Sequence, residues 1–158
     1  MGSVTDIPVI IAATLLLTIS VFTGQLILKE IADNTTSDQL DQETLDQGIQ
    51  ALSLFDAGIV ALNAFFYLVS FIFAYRIRTS PVFAVPALIF LAVSGFVSMQ
   101  IANIYAAIAS TGPFTGIANS FPATGVLYNN YLTITLTLGG VLILLLYGKT
   151  RSGREVTV

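Results

Sequence analysis

The stretch Tyr75-Arg76-Ile77-Arg78-Thr79-Ser80-Pro81 separates two long apolar runs, 51–74 and 82–109. At about 1.5 Å of rise per residue, either run can cross the roughly 30 Å hydrocarbon layer of a bilayer as a helix. A link this short predicts that the second helix returns antiparallel beside the first. Arg76 and Arg78 place the link on the cytoplasmic side, because basic residues in short loops resist translocation.

Composition agrees with a membrane protein. The 158 residues are 55% hydrophobic and 9% charged, with mean hydropathy +0.86, whereas a soluble domain carries about 25% charged residues. The chain has no cysteine and no histidine. That excludes disulfides, thiolate nucleophiles, Cys/His metal sites and haem ligation by histidine. Net charge is −3 and the only lysines are Lys29 and Lys149, a balance compatible with a high-salt host. The segment before Ile7 lacks the basic region of a secretory signal, and the apolar run after it is too long for one. It is read as a retained first span.

Working outward from the hinge, the sequence predicts an all-α, single-domain membrane bundle of four antiparallel transmembrane helices over about 7–28, 51–75, 82–109 and 124–147. In the first span Pro8 lies in the opening turn, and Thr14, Thr18, Ser20 and Thr23 can bond back to their own helix. An acidic outer loop, 29–50, follows. Leu40, Leu45, Ile49 and Leu52 give it a loose helical stripe, predicting an acidic stalk that runs into the second span, weakest at Gly48. Asn34-Thr35-Thr36 reads as a turn and matches a glycosylation acceptor. In the second span, Asp56 and Asn63 are seven residues apart and share a face. The third opens on Ser80 as N-cap with Pro81 behind it, and Pro86 predicts a mild kink. Ser94, Gly95, Ser98, Ala102 and Ala106 place small residues where helices approach closely. The outer link 110–122 is uncharged and rich in Gly, Pro and Ser, with Phe114 and Phe121 placed to enter the interface.

With four spans both termini share a side. Five of the six basic residues lie there, namely Arg76, Arg78, Lys149, Arg151 and Arg154, as topology and headgroup anchors. Seven of the nine acids lie opposite. Both termini are therefore expected in the cytoplasm.

Gln25, Asp56, Asn63, Gln100, Asn103, Asn129 and Asn130 all fall in the outer half or at the midplane. Two readings of this polar cluster stand side by side. It is a conduit or ligand site, since ionisable groups in membranes are functional candidates, or it is interhelical glue, since amides bonding across helices hold bundles together. Asp56 has no basic neighbour with which to form a relay, which favours glue. Other chemistry is not indicated. Gly139-Gly140 lacks the residues of a phosphate loop, and Asp38-Gln39-Leu40-Asp41 lacks the alternation of an EF-hand. No catalytic residue, metal, cofactor or small-molecule substrate is expected. The tail Lys149-Thr150-Arg151-Ser152-Gly153-Arg154 is read as a headgroup anchor, not a nucleic-acid site.

Four short motifs carry a resemblance: Ser80-Pro81-Val82-Phe83, Ala102-Asn103-Ile104-Tyr105, Tyr128-Asn129-Asn130 and Leu146-Tyr147-Gly148-Lys149. Over about residues 51–150 the chain resembles the small membrane proteins of tailless icosahedral viruses, particularly of haloarchaea, that carry a lipid membrane beneath the capsid. One departure is Tyr131-Leu132 after the paired asparagines, where the resemblance implies a proline. The resemblance implies a non-enzymatic structural protein of the virion internal membrane, resident in the host cytoplasmic membrane before assembly. Its expected partners are lipid, other copies of itself and other membrane or capsid proteins. An accessory subunit of a cellular membrane complex and a holin-like pore or ion conduit are the alternatives.

Because the chain has no native cysteine, single-cysteine variants report topology cleanly. Leu40→Cys and Ser152→Cys are expected to label from opposite sides of the membrane. Labelling of both from one side would overturn the count of four spans.

Overall fold

The computed structural model describes residues 7–34, 42–76 and 80–148, and its regular structure is entirely helical. In chain order these are α1 (Ile7–Asn34), α2 (Gln42–Ser53), α3 (Phe55–Arg76), a 3₁₀ turn (Pro81–Phe83), α4 (Ala84–Ala109), α5 (Gly112–Ala118), α6 (Pro122–Asn129) and α7 (Tyr131–Gly148). Four stretches are long and apolar enough to cross a membrane: α1, the α2–α3 run, α4 and α7. Helices are the natural outcome for such runs, because in hydrocarbon each peptide group must bond within its own segment.

Burial is inverted relative to a water-soluble fold. Val9, Leu16, Leu68, Leu88, Phe96 and Leu144 face outward, while Thr14, Thr18, Asn63, Ser94, Ser98 and Thr135 are buried. Water would penalise that outer surface; a bilayer matches it. The helices are therefore built to be integral to a membrane.

α1 buries one continuous stripe, Ile7, Ile11, Thr14, Thr18, Val21, Phe22 and Gln25, at the three- and four-residue spacing of a single helix face. Beyond Gln25 it is covered by α2, which packs back along it. The Gly48 Cα comes so close that a Cβ there would stand 3.3 Å from Leu28 Cδ1. Gly48 is thus a contact point and not the weak point expected of it. The helical interruption falls instead at Leu54, bridged by two long backbone bonds, Leu54 N to Gln50 O and Gly58 N to Leu54 O, both 3.3 Å.

The spans do not pair in chain order. α1 packs on α3 and α4, and α7 packs on the same two helices, so the ring runs α1–α3–α7–α4. Among the described residues α3 and α4, joined by the short hinge, run antiparallel but face each other across a diagonal. This corrects the expectation that they lie side by side. The reason is the fit between α4 and α7. Gly95 of α4 receives Leu136, whose Cδ2 would be 2.9 Å from an added Cβ, and Gly139 of α7 receives Leu91 of α4. Each helix offers the other a glycine hole and a leucine knob. Ser94 and Ser98 are also buried, whereas Ala102 is half-buried and Ala106 exposed. Tyr147 closes the end of this pair at the start of α4 by donating to Phe83 O at 2.9 Å.

Two proline and asparagine expectations change. Ser80 O accepts from Phe83 N at 3.1 Å, closing the 3₁₀ turn, and α4 begins only at Ala84. Pro86 thus falls in the first turn of α4, where no intrahelical bond is lost, so the source of a kink is removed. The fourth span is not continuous from Thr124. It breaks at Asn130, which sits at φ −110°, ψ 10°. Its Nδ2 donates to Val126 O at 2.9 Å, competing with the helical ladder. The outer link folds as well: Pro113 opens α5 and buried Ile117 anchors it. Phe121 is fully buried against Phe22 at 4.9 Å between ring centres, so it belongs to the core and not to the interface.

Gly139→Val is expected to destabilise the bundle by about 1–3 kcal/mol through overpacking against Leu91, and Leu91→Ala should restore part of the loss. Gly140→Ala, with nothing within 4 Å of its added Cβ, should leave thermal unfolding in detergent unchanged. Equal effects at the two glycines would contradict the interlock.

Candidate functional site

The residues that converge inside the bundle are amides and hydroxyls. Asn63, on the core face of α3, is 2% exposed. Its Nδ2 donates to Thr14 Oγ1 on α1 at 3.2 Å and to Tyr131 OH on α7 at 2.9 Å. One amide therefore joins three spans. Thr14 Oγ1 gives its own proton to Ile10 O at 2.8 Å, which leaves its lone pairs free to accept from Asn63.

One turn along α1, Thr18 Oγ1 donates to Thr14 O at 2.9 Å and lies 2.9 Å from Tyr128 OH. Since the threonine proton is committed to the carbonyl, Tyr128 is the donor in the second bond. Tyr128 thus reaches from the fourth span to α1 across the diagonal, and Tyr131 is linked to α1 through Asn63. Deeper in the bundle, Ser98 Oγ of α4 bonds Thr135 Oγ1 of α7 at 2.8 Å, with Tyr67 OH of α3 at 3.5 Å from the same threonine.

An aromatic column fills the space between this network and α5. Tyr105 stacks on Tyr128 with ring centres 4.4 Å apart and planes 15° from parallel. Tyr131 meets Tyr128 edge-on at 5.2 Å. Phe22 then links Tyr105, at 6.1 Å, to Phe121.

At the end of the bundle that holds α6, Asp56, near the start of α3, caps α6 from a distance in sequence. Its Oδ2 accepts from Ala123 N at 2.9 Å and its Oδ1 from Thr124 N at 2.6 Å. Pro122 has no N–H, and Gly125 N bonds Phe121 O at 3.0 Å. Every donor in the first turn of α6 is thereby satisfied, and a negative charge sits at the positive end of the helix. Both carboxylate oxygens are engaged in positioning backbone.

The structure brings together Gln25, Asp56 and Asn63 of the sequence-derived cluster as interior or half-buried groups. It does not bring in Gln100, Asn103, Asn129 and Asn130, which are exposed on the outer surface of α4 and α6 and at the break before α7. Gln25 is 1% exposed and its Oε1 has no partner among the described residues; the same holds for Thr124 Oγ1. Of the anchors, Arg76 is exposed in the last turn of α3. Arg78, Lys149, Arg151 and Arg154 lie outside the described residues, as do Asp38, Asp41 and the acceptor's Thr35-Thr36.

Reading by amides and charge missed the tyrosines and hydroxyls that complete the network. A signal was present. Tyr128, Tyr131 and Thr135 are spaced three, then four apart, and Thr14, Thr18 and Gln25 four, then seven, so each set marks one face of a helix.

Among the described residues, Asp56 and Lys29 are the only charged side chains that are not fully exposed. The site therefore offers hydrogen bonds between helices and one carboxylate already bound to backbone. No protein-family model matches the chain, and neither curated proteins nor solved structures give a match.

Asn63→Leu is expected to lower stability by about 0.6–2 kcal/mol, because Tyr131 and Thr14 lose a shared partner. Gln25→Leu should be neutral or stabilising, since it removes a buried acceptor with no partner. Asp56→Ala should cost about 0.5–2 kcal/mol as a lost helix cap, and Asp56→Asn less. Unfolding titrations in mixed micelles measure all four.

Proposed function

We propose that this chain is a non-enzymatic structural protein of a lipid membrane, and that the membrane is the internal vesicle of a tailless icosahedral virion. In that setting many copies would organise the bilayer and contact the capsid. One observation supports a structural role above the rest: several of the polar groups buried in the bundle join one helix to another. Asn63, Tyr128, Tyr131, Ser98 and Thr135 bond across spans, and Asp56 holds the first turn of α6. The virion setting rests on the motif resemblance and on the acidic, lysine-poor composition.

The orientation belongs to the same reading. Five of six basic residues sit with the termini on the cytoplasmic side. The Asp56 cap, α5 and α6 then lie toward the outer face. There α2, with exposed Glu43 and Asp46, forms an acidic extension braced on the end of α1.

A conduit is the competing reading, because the hydroxyls and amides line up along the bundle interior. Purified protein in lipid vesicles separates the two. Wild type and Asp56→Asn are both expected to show proton and ion leak no greater than protein-free vesicles. A leak that Asp56→Asn abolishes would overturn the structural role. Co-flotation of the protein with capsid and lipid in purified particles is expected; recovery from uninfected cells within a host complex would overturn the virion setting.

A further inference from the structure

Gln100, Asn103 and Asn129 present amides to the outside of the bundle at a depth where lipid is expected. Two contacts set that depth. Ser98 bonds Thr135 and Tyr105 stacks on Tyr128, so Gln100 and Asn103 of α4 lie level with the end of α6. They stand among exposed apolar side chains, Phe96 at 64%, Met99 at 49% and Ile104 at 46% exposure on α4. Val126 and Leu132 flank Asn129 in the same way. The amides thus interrupt the apolar belt and do not lie beyond it. None of the three makes a side-chain hydrogen bond among the described residues. Asn130, by contrast, is bonded to Val126 O.

They also lie on neighbouring exposed faces, on either side of one seam. Met99 follows Gly95 by four residues and Asn103 follows Met99 by four; each step turns about 40° around α4, so the row drifts from the α7-facing side at Gly95 to the exposed face at Asn103, where Gln100 also lies. Asn129 precedes Leu132 by three residues, and Leu132 packs toward Gly95. The exposed face of α4 that carries Gln100 and Asn103 therefore borders the seam where α4 meets the fourth span, and Asn129 is exposed on the other element of that seam, α6. Gly140 lies farther in on the same side of α7 and has open space where a Cβ would be.

We infer that this seam is the surface on which a second copy of the chain docks within the membrane. An amide left against hydrocarbon is costly, and only a partner with polar groups at the same depth relieves it. A second copy inserted with the same topology meets that condition by construction. A twofold axis normal to the membrane brings Gln100, Asn103 and Asn129 of one copy level with those of the other. Each amide both donates and accepts, so like can bond like. Exposed Ala106 and open Gly140 leave room for the backbones to approach. The inference rests on the membrane placement of the helices and is independent of the virion setting.

The test uses the full chain in lipid vesicles at low protein-to-lipid ratio. Under oxidising conditions Asn103→Cys is expected to form a disulfide-linked dimer, while Leu68→Cys, exposed on α3 across the bundle, stays monomeric. The triple variant Gln100→Leu, Asn103→Leu, Asn129→Leu should weaken dimerisation, read by energy transfer between labelled copies, by about tenfold or more. Its helicity and thermal unfolding should match wild type. Equal cross-linking at both cysteine positions, or wild-type dimerisation by the triple variant, would overturn the inference. Alkaline extraction separates the underlying reading: protein that stays with the lipid but does not cross-link refutes only the docking seam, and protein released from lipid refutes the membrane placement itself.

Discussion

Asn63 holds three of the four spans through one side-chain nitrogen, and the arrangement of the bundle follows from that bond. Between helices in a bilayer there is little hydrophobic drive, because lipid tails are as apolar as leucine. Neighbours are chosen by close packing and by polar groups that have nowhere else to bond. By donating to Thr14 and to Tyr131, Asn63 sets α3 between α1 and α7. α4 is left to close the ring from the far side. A hinge of a few residues does not outweigh this, since it constrains direction and end position but not which flank a helix presents.

The diagonal of the bundle is filled by tyrosines. A four-helix ring leaves its diagonal partners too far apart for small side chains to meet. Tyr128 is long enough to cross that space, where its hydroxyl finds Thr18, while Tyr131 bonds Asn63 of the neighbouring α3, which in turn bonds Thr14 of α1. Around the perimeter the opposite device operates: Gly95 and Gly139 remove bulk so that Leu136 and Leu91 can seat. Long side chains across the centre and missing ones at the flank are two answers to the same packing requirement. Asp56 completes the end of the bundle opposite the hinge, where the short helix α6 would otherwise begin with bare N–H groups inside the protein.

Residue counting gives each polar candidate a position along its helix. It does not give direction around the helix. The shared face of Asp56 and Asn63 could be read from their spacing, and both do point inward. Gln100 and Asn103 could not be assigned in the same way, because a helix between lipid and an apolar core has no marked polar side to orient it. The hydroxyls were undervalued for a related reason. Thr14, Thr18 and Ser98 do bond back to their own helices, but each keeps capacity for a partner on another span, and that second bond is a tertiary fact.

What the amino-acid sequence determined alone was the all-helical class and the presence of four stretches long and apolar enough to cross a membrane. These follow from a local requirement, since a chain in hydrocarbon satisfies its peptide groups within each helix. The tertiary structure decided the order of helices around the ring, the breaks at Leu54 and Asn130, and the division of polar side chains between core and surface. Those depend on which knob meets which hole and which hydroxyl reaches which amide, contacts between residues as far apart as Thr18 and Tyr128, and lipid-like surroundings on every side leave no pattern along the chain to announce them.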